Sequence, residues 1–407
     1  MFILHLCSFT IEAEAQARML NQEAEILAVA RHVEMAQLQR ILFNNKKDIA
    51  WLDKDKPKED RVFTFVADYA QNMYLPNFAS SQPGATYYYS PLNTYCFGVV
   101  DGSTRPSKLF GHIYLEDRGK KGGDNVASML WKQLKLSGLV PEDNTKPATA
   151  AKEINIVMDN CGGQNKNNMV LRMLLFLVKL GVCKVARAIF LVRGHTKNDC
   201  NRLFNLMKKI YRKSDCFSED ELMEAVGSHE DVTPVGVLDG EFFDFNRVQD
   251  KYLKKLVSEV NQNHIFEVNS AGPGDSNFMT VYECDTAPPK HLMLVKPLYQ
   301  HEDWIGEAME DLFGKPKPTV GLQEIKWLEL YDKWGPLIPE ERRTYHYIAT
   351  PPPKSVRDKV KKHTKESKDK RKERSRTAAL KEEESDAVLK KDDVGTEDLN
   401  TMPTGNL

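Results

Sequence analysis

Three stretches of the chain set polar side chains where an apolar, strand-like run stops. In NIVMDNCGGQNKNN, residues 155–168, the run ends on Asp159, and a Gly-bearing turn lined with amides leads into a helix. Acids at the C-terminal ends of strands face the crevice in which α/β proteins bind ligands, and a carboxylate there suits a divalent cation, which takes oxygen ligands. The plainer reading is that Asp159 opens an Asx-turn and the amides decorate a loop. In RVFTFVAD, residues 61–68, a β-rich run delivers Asp68 near its end. In AIFLVRGHTKNDCNRLFN, residues 188–205, a strand breaks at Gly194 into His195 and a polar helix start. A histidine just after a strand-breaking glycine can place a proton or contact a phosphate, or it can cap backbone groups in the turn.

These pieces, with YYYSPLN at 87–93 and KKGGDNVASML at 120–130, stand in an order and wording that resemble a family of transposon-derived eukaryotic proteins. The core of that family looks like a ribonuclease H-type, DDE-class transposase or nuclease domain. The resemblance covers roughly residues 60 to 215, with a looser match to about residue 350.

The resemblance implies a phosphodiester-cleaving or strand-transferring enzyme that acts on DNA with Mg²⁺ or Mn²⁺. Two divalent ions about 3.5–4 Å apart activate the attacking oxygen and stabilise the leaving one, and hard oxygen ligands must hold them. In that scheme Asp68 bridges both ions, Asp159 holds one, and Asn160, Gln164 and Asn165 bond to the carboxylates or to the phosphate. The family's third acid falls at Asn201, six residues after His195. An amide oxygen can ligate Mg²⁺, but it is uncharged and cannot act as a base. Asp199 lies nearby, although two residues on a helix turn about 200°, which points it away from the direction of position 201. It can substitute only if residues 198–200 are loop; as the N-cap of a helix over 200–211 it is structural. An inactive, transposase-derived module that binds nucleic acid or protein is therefore the alternative to an enzyme.

The elements that must position these residues can be read independently. After the Asp68 strand, residues 86–100 and 108–115 are β-rich and are separated by Asp101-Gly102, a hairpin signal. Val126, Met129, Leu130 and Leu134 have helical spacing over 125–136. The Asp159 strand, an apolar helix over 169–180 and a strand over 185–192 follow, giving βββαβαβ and then a helix. The expected fold class is α/β, a ribonuclease H-like mixed sheet flanked by helices. The expected divisions are a helical region and charged linker (1–60), the core (61–215), an α+β extension (216–350) and a disordered charged tail (351–407).

In the flanks, residues 10–43 form one long helix, with no Gly or Pro to break it, and 46–60 form the linker. The abrupt start suggests a DNA-binding module upstream. Beyond residue 213, strands are expected over 241–246 and 278–284, with a helix over 248–260 between them. The net charge of −1 does not announce a nucleic-acid binder, but the distribution of charge does. Residues 354–377 hold twelve Lys/Arg against four Asp/Glu, and no aromatic residue occurs from Pro351 onward. Such a tail cannot bury enough apolar area to fold. Lys368, Lys370, Arg371, Lys372, Arg374 and Arg376 read as a nuclear-import or nucleic-acid-contacting tract, or as a solubilising one. DNA is thus the expected partner and the nucleus or nucleocytoplasm the expected location, while a homo-oligomer is open. Seven cysteines without a Cys-x-x-Cys pair argue for reduced thiols rather than a zinc module. No segment reads as a membrane span, because Arg172 and Lys179 interrupt the most apolar helix.

Overall fold

The structure, a computed structural model, describes residues 2–271, 276–362, 366, 369–370 and 372–377, with residues 2–21 described by backbone alone. It divides into two compact units, residues 1–322 with 338–345 and residues 323–337 with 346–407.

The larger unit begins with α1 (Phe2–Leu52). This helix runs past its expected end at Phe43, because nothing in residues 44–52 breaks a helix, so Lys46 and Lys47 lie on it rather than in a linker. Ala36, Leu42, Phe43 and Ala50 are buried, whereas residues 22–34 are exposed. Next come β1 (Val62–Tyr69), the short β2 (Met73–Leu75), β3 (Leu92–Asp101), β4 (Leu109–Leu115) and α2 (Gly123–Leu136). Then follow β5 (Ala151–Met158), α3 (Asn168–Lys179), β6 (Cys183–Phe190) and α4 (Asp199–Tyr211). The expected βββαβαβ order is present, with β2 as an addition.

The chain continues through α5 (Glu219–Gly227), β7 (Val232–Gly236), α6 (Phe245–Tyr252), α7 (Glu259–Gln262), β8 (Ile265–Asn269), β9 (Phe278–Tyr282), β10 (Lys290–Met293) and α8 (Ile305–Gly314). The strand expected over 241–246 is not formed. There the Asp244 side chain accepts from Arg247 N at 3.0 Å and starts α6.

All ten strands belong to one mixed sheet of order β10-β9-β8-β6-β5-β1-β3-β4-β7, with β2 against β3. Thus β8–β10, expected in an extension, lengthen the edge of the same sheet through β6–β8 pairing. The strands β1, β5 and β6 are parallel neighbours, and β3 returns antiparallel to β1. Residues 62–67 are buried without alternation, as expected of a central strand covered on both faces.

One face, carrying Phe63, Phe65, Ala67, Ile154, Ile156 and Met158, packs with α2, α3, α6 and α8. Residues 170–178 of α3 are all buried, and each fully buried Leu or Phe there contributes roughly 1.5–3 kcal/mol. Arg172 is buried too, and its guanidinium meets Asp250 at 2.7 Å. The other face is covered by α1 and α4, with Thr64 Oγ1 donating to Lys46 O at 2.9 Å and Cys200 Sγ to Val66 O at 3.3 Å. Among the described residues, no helix is long and apolar enough to cross a membrane.

In the smaller unit, α9 (Glu324–Glu329) and α10 (His346–Ala349) are held by Trp327, whose ring meets Tyr347 at 5.3 Å and whose Nε1 donates to Thr350 O at 3.2 Å. Residues 354–362 and 372–377 are helical and mostly exposed. Most of the remaining stretch expected to be disordered, including residues 378–407, lies outside the described residues.

Candidate functional site

Alternation along the strands determines where the two acids point. Thr64 pairs with Asn155 and Val66 with Val157 in the parallel β1–β5 ladder, whose last pair is Ala67 with Met158. One step further, Asp68 and Asp159 are neighbours at the C-terminal ends of adjacent strands. With side chains alternating at period two, both carboxylates leave on the α1/α4 face, opposite the face of Ala67 and Met158.

Their proximity is visible in the acidity of Asp68. Burial first, and then the Asp159 charge, push its carboxyl up to about 6. A hydrogen bond from Asn198 Nδ2 to Oδ2 (3.3 Å), one from Tyr69 N–H to Oδ1 (2.8 Å), and the Lys121 ammonium offset part of that rise. Lys121 also donates to Ala70 O at 3.0 Å and lies 4.9 Å from the Tyr69 ring centroid.

The amides after Asp159 take different directions. Cys161 O accepts from the N–H groups of Gln164, Asn165 and Lys166 at 3.2, 2.8 and 2.9 Å, winding the loop tightly. Asn165, fully buried, donates its Nδ2 to Asp159, while its Oδ1 has no partner among the described residues. Asn160 turns away to His264 Nε2, at 3.4 Å. Gln164 uses its carbonyl to accept from Asn167 Nδ2 at 2.8 Å, and Asn167 in turn caps α3 by accepting from Met169 N and Val170 N.

The start of α4 differs from the sequence expectation. Its N-cap is Asn198, not Asp199. Asn198 and Asn201 form a reciprocal capping box, in which Asn201 Oδ1 accepts from Asn198 N at 3.0 Å and Asn198 Oδ1 from Asn201 N at 3.3 Å. Position 201, expected to carry a metal ligand, therefore spends its side chain on the helix end. Asp199 is ion-paired with Lys47 of α1. His195 follows Gly194, which has a φ of +84° that a side chain would resist. The His195 ring is exposed and meets His32 of α1, with centroids 5.3 Å apart, while its carbonyl accepts from Arg40 at 2.8 Å.

Asn198 and Lys121 were not singled out from the sequence. Asn198 could have been found as a cap preceding the α4 pattern, but Lys121, reached through the β4–α2 turn, carries no local signal. Gly98, the register partner of Asp68, lets α4 approach, since a Cβ there would come within 2.4 Å of Phe204. Beside the pair, Tyr69, Ala70, Met73, Asn201, Phe204 and Lys208 line a cleft of about 200 Å³. A larger cavity, about 580 Å³, lies at the far end of α3 beside Lys179, Leu180 and Ile305, and none of the expected site residues lines it.

No group of three or more His, Cys, Asp or Glu arranged to hold a metal occurs among the described residues. In the tail tract, Lys370, Lys372, Arg374 and Arg376 are exposed, and Lys368 and Arg371 lie outside the described residues.

A family described as a domain of unknown function (DUF7869) matches residues 138–286. The matched span carries Asp159, the amide loop and the start of α4 but not Asp68. No curated protein and no solved structure matches the chain.

Proposed function

We propose that this chain is a transposase-derived protein with a ribonuclease H-like, DDE-type core, and that Asp68 and Asp159 hold a divalent cation, Mg²⁺ or Mn²⁺, against a DNA phosphodiester. The observation that carries this reading is the pairing of two same-face carboxylates at adjacent strand ends, where burial first and then the Asp159 charge raise the Asp68 pKa to about 6. Carboxylates so placed repel one another unless a proton or a cation lies between them. The donor set fits a hard cation, because the orphaned Asn165 Oδ1 beside Asp159 adds a neutral oxygen to the two acids. Bound there, the cation would polarise a phosphoryl oxygen as a Lewis acid. With Asn201 committed to its capping box and Asp199 to Lys47, the site offers ligands for one ion more readily than for two. Strand cleavage is accordingly slow, and a nuclear location follows from the reading as a DNA-directed protein.

A second reading, an inactive nucleic-acid-binding descendant, is favoured by that same commitment of positions 199 and 201. Cation titration followed by thermal denaturation and calorimetry tests the first. Mn²⁺ should raise the melting temperature of the wild type, and the rise should vanish with Asp159→Asn and fade as pH drops below about 6, where Asp68 takes up its proton. A wild type indifferent to Mg²⁺ and Mn²⁺ would overturn the metal-site reading. A cation response without Mn²⁺-dependent DNA cleavage would decide for the inactive descendant.

A further inference from the structure

The loop that carries Asp159 also carries a lysine in an unusual setting. Lys166 is only 3% exposed, and its ammonium lies 5.7 Å from the Phe190 ring centroid at the end of β6. It has no hydrogen-bond or ion-pair partner among the described residues. Another cation, Arg193, is near enough for its charge to act on Lys166, and it is exposed and likewise unpaired among the described residues. His264, just before β8, is the third basic side chain of the group. It is held in place by backbone pairing on both sides, with Phe190 N donating to its carbonyl at 2.8 Å and its own N–H to Tyr282 O at 2.9 Å. Asn160, next to Asp159, places its amide 3.4 Å from His264 Nε2, and His32 of α1 is near enough for its charge to act on His264.

The Lys166 stem is buried while its ammonium still reaches the surface, so the charge is open to a ligand. Geometry gathers these side chains at one end of the sheet: the Lys166 ammonium lies over Phe190, Phe190 N donates to His264 O, and Asn160 bonds to the His264 ring. The cluster brings together the Lys166 and Arg193 cations, an amide donor and an imidazole, and among the described residues neither cation is ion-paired with a carboxylate. An anion with several acceptor oxygens would satisfy all four groups at once.

We propose that Lys166, Arg193, His264 and Asn160 form a phosphate-binding subsite beside the acid pair, and that it holds a backbone phosphate of the nucleic-acid strand presented to that pair. The assignment of the strand rests on the function proposed above; the affinity for phosphate rests on the cation cluster alone. The two acids repel a polynucleotide, so a cationic subsite on the same loop gives the strand its hold and fixes which phosphate faces Asp68 and Asp159.

The test uses the full chain in EDTA, so that the cation site plays no part. Binding of a fluorescent single-stranded DNA oligonucleotide is followed by polarisation against salt, and inorganic phosphate is added in parallel thermal melts. Lys166→Met keeps the apolar stem over Phe190 and should weaken oligonucleotide binding roughly 5–20-fold at low salt and reduce the salt slope by about one. Phosphate should raise the melting temperature of the wild type and not of Lys166→Met. Arg193→Gln, at an exposed position, should give a smaller loss in the same direction and stands in if Lys166→Met does not fold. Oligonucleotide binding unchanged in the folded variants, with a phosphate response intact, overturns the subsite. A phosphate response that depends on Lys166, with oligonucleotide binding that does not, overturns the strand and leaves a free-phosphate site. Loss of the Mn²⁺ response expected above, with the Lys166 effect retained, counts against the acid-pair reading alone.

Discussion

The ends of β1 and β5 and the first turn of α4 meet through Asn198 and Asp68, yet they use polar side chains in opposite ways. At the strand ends, two carboxylates on one face are left close together, one of them pushed up to about 6, and an amide oxygen beside them is unpartnered. At the helix start the side chains of Asn198, Asp199 and Asn201 are all engaged: Asn198 and Asn201 cap each other, and Asp199 pairs with Lys47. The first arrangement holds a buried carboxylate beside a second acid, a cost that a ligand can relieve, and the second spends its side chains on holding the helix in place. The contrast separates residues with free coordinating capacity from residues that only resemble ligands by position in the sequence.

The strongest way to break the comparison is to separate the two regions. Gly98 faces Asp68 across the β1–β3 pairing, and a Cβ there would lie 2.4 Å from a Phe204 ring carbon and 2.7 Å from Leu109. Gly98→Val should cost on the order of 1–3 kcal/mol, as overpacking typically does, and should displace α4 with its Asn198. Chemical denaturation measures the first, and loss of the Asn198 restraint should raise the Asp68 pKa further, read by carboxyl NMR. A variant as stable as the wild type would mean that α4 does not depend on this close approach.

The next effect concerns the cost of that buried, repelled carboxylate. The Asp68 carboxyl stands at about 6 in the fold against 3.8 in its ordinary state. Because the folded value is raised, its contribution to stability is fully present below about 3.8 and is lost as pH rises through about 6. Asp68→Asn should therefore stabilise the cation-free protein at pH 7.5 by on the order of 1–2 kcal/mol, discounted from the roughly 3 kcal/mol that two pKa units represent. The gain should shrink to nothing near pH 4, where the wild-type carboxyl is protonated. Urea denaturation in EDTA at the two pH values checks it, and a variant less stable than the wild type at pH 7.5 would mean that neither burial nor the Asp159 charge strains Asp68.

Much of this arrangement was legible in the residues. The unbroken apolar run before Asp68 and the run that ends at Asp159 both read as strands, and the parity of each run placed the acids on the α1/α4 face once the parallel register was known. The spacing in α2 and the apolar length of α3 gave their helices. What was not legible depends on long-range pairing. Ile265–Asn269 is a strand because β6 offers it an edge, not because of its own pattern. Lys46 and Lys47 read as linker charges, yet a helix continuing to Leu52 carries them to Glu153 and Asp199. Asp199 looked like a helix cap, but the choice between Asn198 and Asp199 is a matter of one residue of phase, settled by the reciprocal bonds with Asn201.

The smallest expected effects sharpen the comparison most, since they act on the two side chains of the α4 start that could be mistaken for the third ligand. Asp199→Ala removes a partly exposed ion pair with Lys47 and should cost only about 0.2–1 kcal/mol, with the Mn²⁺-induced rise in melting temperature unchanged. Asn201→Asp keeps an oxygen for the Asn198 N–H and adds a negative charge in the first turn of α4, which should stabilise by about 0.3–1 kcal/mol through the helix dipole. Its carboxylate stays directed at the Asn198 N–H, so Mn²⁺ affinity and DNA cleavage should remain at wild-type levels. If Asn201→Asp instead tightens Mn²⁺ binding or switches on cleavage, the capping box yields to the cation, and the helix start belongs to the site after all. If Asp199→Ala abolishes the cation response, the Lys47 pair is a resting state of a true ligand. Either result would erase the distinction between frustrated strand ends and a satisfied helix start, whereas two small stability changes with no change in cation response would establish it.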